Sequence, residues 1–181
     1  MKLYTHPIST TCRPIMMFAA EQGIPLDMQV VDLFTGEHTK APYGASNPNH
    51  LIPVLEDGDF QLTESSASMK YLAEKTGSPL YPKDLQQRAR VNERMDWINT
   101  QLGREFCYGV VYPQIFPHHK RRSAEAQEAT LQWGKEHAQR WLKVLDEHFL
   151  GANNAYLCGD SITIADYFAS AFVALAELTG R

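Results

Sequence analysis

Apolar and polar residues follow two different patterns along the chain. Over residues 1–77, short runs typical of β-strands alternate with stretches of helical periodicity, whereas from residue 85 onward an apolar stripe at helical spacing continues almost throughout. The connecting segment contains Pro79 and Pro82, which interrupt regular structure. The patterns therefore predict a domain over residues 1–77, a linker over 78–84 and an all-helical domain over 85–181.

The first domain is predicted to place its elements in the order β-α-β, an irregular segment, then β-β-α. A strand, a helix and a strand joined in this way favour a parallel pair with a right-handed crossover. The pair Asp57-Gly58 between two apolar runs is a hairpin signal. The expected fold is therefore α/β, a mixed four-stranded sheet in a thioredoxin-like order. The expected strands lie at 2–4, 28–33, 54–55 and 60–62, and the expected helices at 11–22 and 65–75.

The second domain is predicted to be all-α, a helical bundle with three clear helices. Each of the first two helices has one apolar face. The third is expected to begin at Thr163, whose hydroxyl caps the helix while Asp166 returns a hydrogen bond to the cap. The apolar positions of the first two helices are Val91, Met95, Ile98 and Leu102, then Leu131, Ala138, Trp141, Leu145 and Phe149.

Charge and cysteine content narrow the classes of function. The chain has 17 basic and 21 acidic residues, a net charge of −4, which argues against a nucleic-acid-binding protein. Its three cysteines are widely spaced, which fits a reducing compartment better than a disulfide framework. No apolar stretch suits a signal peptide or a membrane span, so we expect a cytoplasmic protein without membrane contact. The seven histidines lack the spacing of metal ligands, so no metal is expected.

The first candidate for chemistry is the segment Ser9-Thr10-Thr11-Cys12, which joins the first strand to the first helix. Backbone N–H groups and the helix dipole stabilise an anion at such a position. The Ser-x-x-Cys spacing equals that of the Cys-x-x-Cys redox motif, but a serine can only donate a hydrogen bond to a bound thiolate. A purely capping role is the alternative for Ser9. Thr10 and Thr11 offer competing hydroxyls, and Cys12 is either the reactive group or a packing residue.

The second candidate is Ile52-Pro53, immediately before the third predicted strand. Its position suggests a cis peptide bond, which costs little only before proline. A cis bond would present the backbone N–H and C=O of Ile52 to the peptide bond of a ligand. A proline that merely begins a strand is the alternative.

The third candidate is Glu64-Ser65, at the start of a predicted helix with Ser65 as its N-cap. The Ser65 hydroxyl and the free N–H groups suit a carboxylate, and Glu64 suits an ammonium group. A ligand with an amino-acid head would match this pair. Capping chemistry alone is the alternative.

Together these motifs resemble the cytosolic glutathione transferase superfamily, most closely its serine-type theta and delta classes. The resemblance covers nearly the whole chain, and Pro53 with the Glu64-Ser65 pair is its most specific part. Further matching segments are Tyr4-Thr5-His6-Pro7-Ile8-Ser9, Val31-Asp32-Leu33, Gly36-Glu37-His38, Asn47-Pro48-Asn49-His50, Asp57-Gly58-Asp59-Phe60, Tyr71-Leu72, Tyr81-Pro82, Arg88-Ala89-Arg90-Val91 and Thr163-x-x-Asp166.

The resemblance implies how the thiol of glutathione would be held. Ser9 matches the hydroxyl that stabilises the glutathione thiolate. Ile52 matches the residue whose backbone pairs with the cysteinyl unit, and Pro53 matches the cis proline beside it.

It also implies how the two ends of glutathione would be held. Glu64 and Ser65 match the pair that binds the γ-glutamyl head. His38 and His50 match histidines that reach the glycyl end in serine-type members, where an imidazole can donate to the carboxylate. Taken from the residues alone, both histidines are ordinary surface residues of loops.

The implied activity is that of a glutathione transferase in detoxification, which uses glutathione as co-substrate and adds it to a small hydrophobic electrophile. A homodimer with sites near its interface is also implied. The electrophile pocket should lie on the helical domain facing Ser9. Its candidate residues on the first long helix are Arg104, Cys107, Tyr108, Val111 and Tyr112.

Several functions stay open beside conjugation. Glutathione-dependent dehalogenation, isomerisation and peroxide reduction occur in the same superfamily. A thiol oxidoreductase that uses Cys12 and a non-enzymatic binding module are rivals from other classes. Most relatives continue with further helix beyond the position of Arg181, so either this protein is shorter than they are or its tail is absent from this sequence. The sequence does not indicate the physiological electrophile.

Overall fold

The computed structural model describes residues 1–179, which form two compact units. The first unit comprises Met1–Tyr81, and the second begins at Pro82. This division falls within the segment 78–84 that the sequence predicts as a linker. Among the helices described, none is both long enough and apolar enough to cross a membrane.

The first unit is a mixed four-stranded sheet with helices, which confirms the fold predicted from the sequence. Its elements are β1 (Lys2–Thr5), α1 (Arg13–Glu21), β2 (Asp27–Val30), α2 (Tyr43–Ser46), β3 (Val54–Asp57), β4 (Phe60–Leu62) and α3 (Ser65–Thr76). The strand order is β2-β1-β3-β4. Strand β1 runs parallel to β2 and antiparallel to β3, and β3 runs antiparallel to β4.

Helix α1 begins two residues later than predicted because residues 10–12 form a turn. The carbonyl of Ser9 accepts hydrogen bonds from the N–H groups of Cys12 (3.2 Å) and Arg13 (3.0 Å), which closes this turn. Pro14 therefore lies in the first turn of α1. Backbone N–H groups in a first turn have no partner within the helix, so proline is tolerated there. The turn places Ser9 just before the helix rather than inside it.

Strand β2 is shorter than predicted and ends at Val30. The carboxylate of Asp32 accepts hydrogen bonds from the N–H groups of Phe34 (2.8 Å) and Thr35 (3.2 Å). An aspartate that bonds to the backbone two and three residues ahead closes a turn. The polar residue after the apolar run therefore stops the strand.

The core of the first unit fixes the position from which α1 departs. Leu3 of β1 lies opposite Leu55 of β3, and both side chains are buried. Phe18 of α1 and Met69 of α3 are fully buried as well, and the two helices pack against each other. Burial of each such side chain is worth about 1.5–3 kcal/mol, so the β1–α1 connection rests on a rigid base.

The second unit is helical. Its helices are α4 (Leu85–Trp97), α5 (Arg104–Phe106), α6 (Tyr112–Ile115), α7 (Ala124–Val144) and α8 (Ile164–Val173). Two π-helical stretches, Ile98–Gly103 and Cys107–Val111, join α4, α5 and α6 into one helical run. The apolar face predicted for this run is buried, from Val91 to Leu102. Thr163 and Asp166 form the predicted capping box at the start of α8.

Helix α7 crosses this helical run at two glycines. A Cβ atom added to Gly134 would lie 2.5 Å from the carbonyl oxygen of Gly109 and 2.7 Å from its Cα. Close by, the Glu105 carboxylate accepts a hydrogen bond from Trp141 Nε1 and pairs with His137 Nδ1 at 2.9 Å. Small residues and a polar cross-link together hold α7 against the run.

Candidate active site

Ser9 lies in the loop between β1 and α1, where its backbone and its hydroxyl are both held. Its N–H donates to the carbonyl of His6 at 2.9 Å. Its Oγ accepts a hydrogen bond from the Cys12 N–H at 3.3 Å and lies 3.1 Å from Oγ1 of Thr11. The residue is partly exposed, so its hydroxyl is fixed at the start of α1 while part of the residue faces solvent.

The neighbouring threonines differ in what they can reach. Thr10 is buried, whereas Thr11 is partly exposed. Oγ1 of Thr11 donates a hydrogen bond to the carbonyl of Ile52 at 3.2 Å. Burial therefore separates Thr10 from the other two hydroxyls, a distinction that sequence alone does not make because it depends on side-chain direction in the turn.

Cys12 belongs to the apolar core of the first unit. Its side chain is 0% exposed and packs in one cluster with Val31, Tyr43, Ile52 and Val54. Burial raises the pKa of the Cys12 thiol. A buried, protonated thiol is a poor nucleophile, so the geometry supports packing for Cys12 rather than catalysis.

The peptide bond between Ile52 and Pro53 is cis, which confirms the prediction. The backbone just before it is anchored from α2. The carbonyl of Leu51 accepts hydrogen bonds from the Tyr43 hydroxyl (2.5 Å) and from Asn47 Nδ2 (2.6 Å). Burial raises the pKa of Tyr43 to about 12, so its phenol stays protonated and remains a donor at neutral pH.

The segments that carry the two candidate histidines lie beside each other. His38 is in a 3-10 turn (Glu37–Thr39), and His50 is in the loop before β3. A Cβ added to Gly44 would lie 2.9 Å from the Thr39 carbonyl and 3.0 Å from Nδ1 of His50. Gly44 of α2 therefore lies in close contact with both segments, and a larger residue at this position would push them apart.

Glu64 and Ser65 lie at the N-terminus of α3. The prediction of Ser65 as N-cap is wrong, because Ser65 is the first helical residue and Glu64 occupies the cap position. The Glu64 side chain makes no capping hydrogen bond. Ser65 is 4% exposed. A helix N-terminus without a capping side chain keeps free N–H groups and can bind an anion.

Two residues of this set have an unusual backbone. In the described part of the chain, His50 (φ 53°) and Glu64 (φ 64°) are the non-glycine residues with positive φ. Such conformations cost about 1–3 kcal/mol each and cluster at ligand-binding sites. Both residues are among those that the resemblance assigns to glutathione.

The second unit contains a cavity of about 450 Å³ beside α5 and α7. The residues Tyr108 and Trp133 are 49% and 47% exposed. Nε of Arg121 donates to Oγ1 of Thr130 at 3.1 Å. Aromatic rings next to guanidinium groups suit a flat aromatic molecule. The lining residues are Arg104, Tyr108, Gly109, Arg121, Ala129, Thr130 and Trp133.

Two of the residues predicted for the electrophile pocket, Arg104 and Tyr108, line this cavity. Within the described chain the lining does not include Val111 or Tyr112. Val111 is buried, and the ring of Tyr112 packs edge-on against Tyr108 with centroids 4.9 Å apart. Cys107 is buried too.

The other five lining residues are not among those predicted from the sequence, namely Gly109, Arg121, Ala129, Thr130 and Trp133. Arg121 lies in a short basic segment of the sequence, residues 118–122, and Trp133 lies outside the predicted apolar face of α7. The sequence signal that could have indicated the cavity is Trp133, a large aromatic residue placed outside the apolar face of its helix.

Two family models match the chain in succession. The model for the N-terminal domain of glutathione S-transferase matches residues 8–75, and the model for its C-terminal domain matches residues 112–179. Human glutathione S-transferase theta-1 is 36% identical over 180 residues, which cover 98% of this chain and 72% of the relative. This chain belongs to the glutathione S-transferase family.

Solved structures of glutathione S-transferases have the same fold. The apo form of human glutathione-S-transferase T1-1 superposes with a TM-score of 0.84 at 35% identity, over 99% of this chain and 75% of that one. Human glutathione transferase theta-2, in complex with glutathione and an unknown ligand, gives 0.83 at 32% identity, over 99% and 73%. These similarities confirm the superfamily and the fold expected from the sequence motifs.

Proposed function

We propose that this glutathione S-transferase binds glutathione in its first unit and transfers it to an electrophilic carbon. The observation that carries the proposal is the Ser9 hydroxyl, fixed at the start of α1 by the Cys12 N–H and by Thr11. Thr11 also contacts the carbonyl of Ile52, beside the cis proline. These contacts support the proposal because they connect the proposed thiol donor to the backbone proposed to pair with the cysteinyl unit.

The three parts of glutathione have matching partners in this proposal. The cysteinyl unit pairs with the backbone of Ile52. The γ-glutamyl carboxylate binds Ser65 and the N–H groups of α3, and its ammonium group binds Glu64. The glycyl carboxylate receives hydrogen bonds from His38 and His50, whose segments lie together around Gly44.

The chemistry is activation of the thiol followed by nucleophilic attack. A free thiol has a pKa of about 8.5, which falls when a donor and a helix N-terminus stabilise the thiolate. The thiol proton passes to solvent, the sulfur forms a bond to the electrophilic carbon, and the leaving group departs with the electron pair of its bond. Cys12 takes no part, and catalysis rests on thiolate stabilisation and proximity.

Titration with glutathione tests the proposal. We expect binding to be accompanied by ultraviolet absorbance of a thiolate at neutral pH, with the pKa of the bound thiol at about 7 or below. S-methylglutathione is the matched control, because it keeps the other contacts of glutathione while its methylated sulfur cannot form a thiolate. Absence of glutathione binding would refute the proposal. Binding without thiolate would refute thiol activation and favour the rival, a non-enzymatic binding module.

We also propose that the electrophile binds in the cavity of the second unit, against Tyr108, Trp133 and Arg104, with Tyr112 supporting the Tyr108 ring. Trp133→Ala should raise KM for an aromatic electrophile about tenfold, the loss of about 1.4 kcal/mol of ring contact. The Kd for glutathione should not change. The measurement is steady-state kinetics with each substrate varied in turn.

The control for Trp133→Ala is Leu85→Ala, at a residue 80% exposed at the start of α4, which should leave both constants unchanged. The Trp133 ring also packs against His137, with ring centroids 4.4 Å apart. Thermal unfolding of both variants checks that loss of this packing does not cause the rise in KM. An unchanged KM in a folded Trp133→Ala variant would exclude this cavity. Family membership also supports a cytoplasmic location and a homodimer, and sedimentation equilibrium would test the dimer.

A further inference from the structure

A chain of three polar atoms crosses the candidate thiol site. Oγ of Ser9 lies 3.1 Å from Oγ1 of Thr11, and Oγ1 of Thr11 lies 3.2 Å from the carbonyl oxygen of Ile52. Ile52 is 41 residues from Thr11 in the sequence. Thr11 therefore links the candidate thiol donor directly to the backbone that is proposed to pair with the cysteinyl unit.

Counting protons fixes the direction of these bonds when no ligand is present. A carbonyl oxygen only accepts, and a threonine hydroxyl has one proton. Because Thr11 gives its proton to Ile52, the contact with Ser9 is made by the Ser9 proton. Oγ of Ser9 in turn accepts from the Cys12 N–H at 3.3 Å. Without a ligand, the single proton of Ser9 is therefore directed to its neighbours Thr11 and the Cys12 thiol, with which the Ser9 side chain also interacts, rather than to the thiol of a ligand.

We infer that Thr11 is a positioning residue that couples pairing of glutathione at Ile52 to activation of its thiol at Ser9; this rests on the proposed function. When the ligand N–H donates to the Ile52 carbonyl, that oxygen has a new donor, and Thr11 turns its proton to Oγ of Ser9. Ser9 then turns its own proton to the sulfur. Each oxygen keeps a partner throughout, and no covalent bond changes.

The rearranged chain stabilises the thiolate more than Ser9 alone would. Hydrogen bonds to an ionised acceptor are roughly twice as strong as neutral ones. A hydroxyl that itself accepts a hydrogen bond is a more polarised donor, so Thr11 strengthens the bond from Ser9 to the sulfur. Thr11 together with the Cys12 N–H also holds Oγ of Ser9 in one rotamer. Thr11 thereby acts on the thiol without touching the two ends of glutathione.

The test is the pKa of the bound glutathione thiol, measured by thiolate absorbance against pH. Thr11→Val keeps the shape and removes the hydroxyl. We expect it to raise that pKa by about 0.5–1 unit and to lower kcat at neutral pH about threefold to tenfold. The affinity for S-methylglutathione should stay within about twofold, which shows that the site is intact. Thr11→Ser keeps the hydroxyl and should restore the pKa of the unsubstituted protein.

A double-mutant cycle separates the relay from a direct contact between Thr11 and the sulfur. If Thr11 acts through Ser9, then Thr11→Val should have no further effect on the thiol pKa in a Ser9→Ala background. An effect that persists there would overturn the inference, as would an unchanged or lowered pKa in Thr11→Val alone. Absence of thiolate in the unsubstituted protein would instead overturn the proposed function and this inference with it.

Discussion

Replacing Ser9 with alanine should lower kcat/KM for glutathione conjugation about 100-fold, because a hydrogen bond to the charged thiolate is worth about 1.5–3 kcal/mol. The affinity for S-methylglutathione should change less than about threefold, since the proposal assigns the two ends of the peptide to other residues. The measurements are steady-state kinetics and calorimetric titration. The pKa of the bound glutathione thiol should rise toward the value of a free thiol, about 8.5.

The sign of the pH dependence follows from that shift. Stabilising the thiolate lowers the thiol pKa, so the unsubstituted enzyme should be fully active above its depressed pKa and lose activity as the pH falls through it. In Ser9→Ala the rise in rate should move to higher pH and recover part of the loss in alkaline buffer. A rate deficit that is the same at every pH would contradict thiol activation by Ser9.

Cys12 provides the control for the Ser9 experiment and tests the rival thiol chemistry. Its side chain is fully buried and burial raises its pKa, so Cys12→Ala should keep conjugation activity within a few-fold while losing about 1 kcal/mol of stability. A thiol oxidoreductase mechanism predicts the reverse, with Cys12→Ala inactive and Ser9→Ala active. Thermal unfolding shows whether either variant has lost its fold.

Gly134→Ala should lower the free energy of unfolding by about 3 kcal/mol. Replacing glycine by alanine within a helix normally stabilises the helix by about 1 kcal/mol. The steric cost of the new Cβ at the helix crossing must therefore exceed that stabilisation. The new Cβ would lie 2.5 Å from the carbonyl oxygen of Gly109, where ordinary contacts begin at 3.4 Å. Because the opposing atoms are backbone, no side chain can rotate away, and α7 must move as a whole.

Chemical denaturation followed by circular dichroism measures this loss, and the thermal midpoint should fall by about 10 °C. Glu128→Ala, at an exposed position of the same helix, is the matched control and should change stability by less than about 0.5 kcal/mol. If Gly134→Ala proved as stable as the control, the close approach of α7 to Gly109 would be wrong. Gly109→Ala should be destabilising as well, because its Cβ would lie 2.8 Å from Cα of Gly134.

Much of the fold could be predicted because its signals are local. The hairpin at Asp57-Gly58 and the capping box from Thr163 to Asp166 are each set by a few neighbouring residues. The end of β2 was predicted wrongly, because the pattern indicates a strand up to residue 33 whereas β2 ends at Val30. There an aspartate turn competes with an apolar run, and strand propensity is the weaker signal.

The candidate site could be predicted only as a set of residue types. Ser9, Pro53 and Glu64 stand next to recognisable element ends, and so their positions were evident. The positive φ of Glu64 could not be predicted from the sequence, and the N-cap of α3 is Glu64 rather than the predicted Ser65. A backbone conformation that costs free energy locally is imposed by packing elsewhere, so no local propensity predicts it.

By itself, the sequence determined the two regimes of the chain, the order of the elements and the motif residues of the first unit, because periodicity and turn chemistry act over a few residues. Only the tertiary structure decided that Cys12 is buried while Ser9 is partly exposed, that Thr11 reaches the carbonyl of Ile52, and that Gly109 contacts Gly134. These contacts join residues far apart in the chain, and their geometry depends on how whole elements pack rather than on any pattern along one segment.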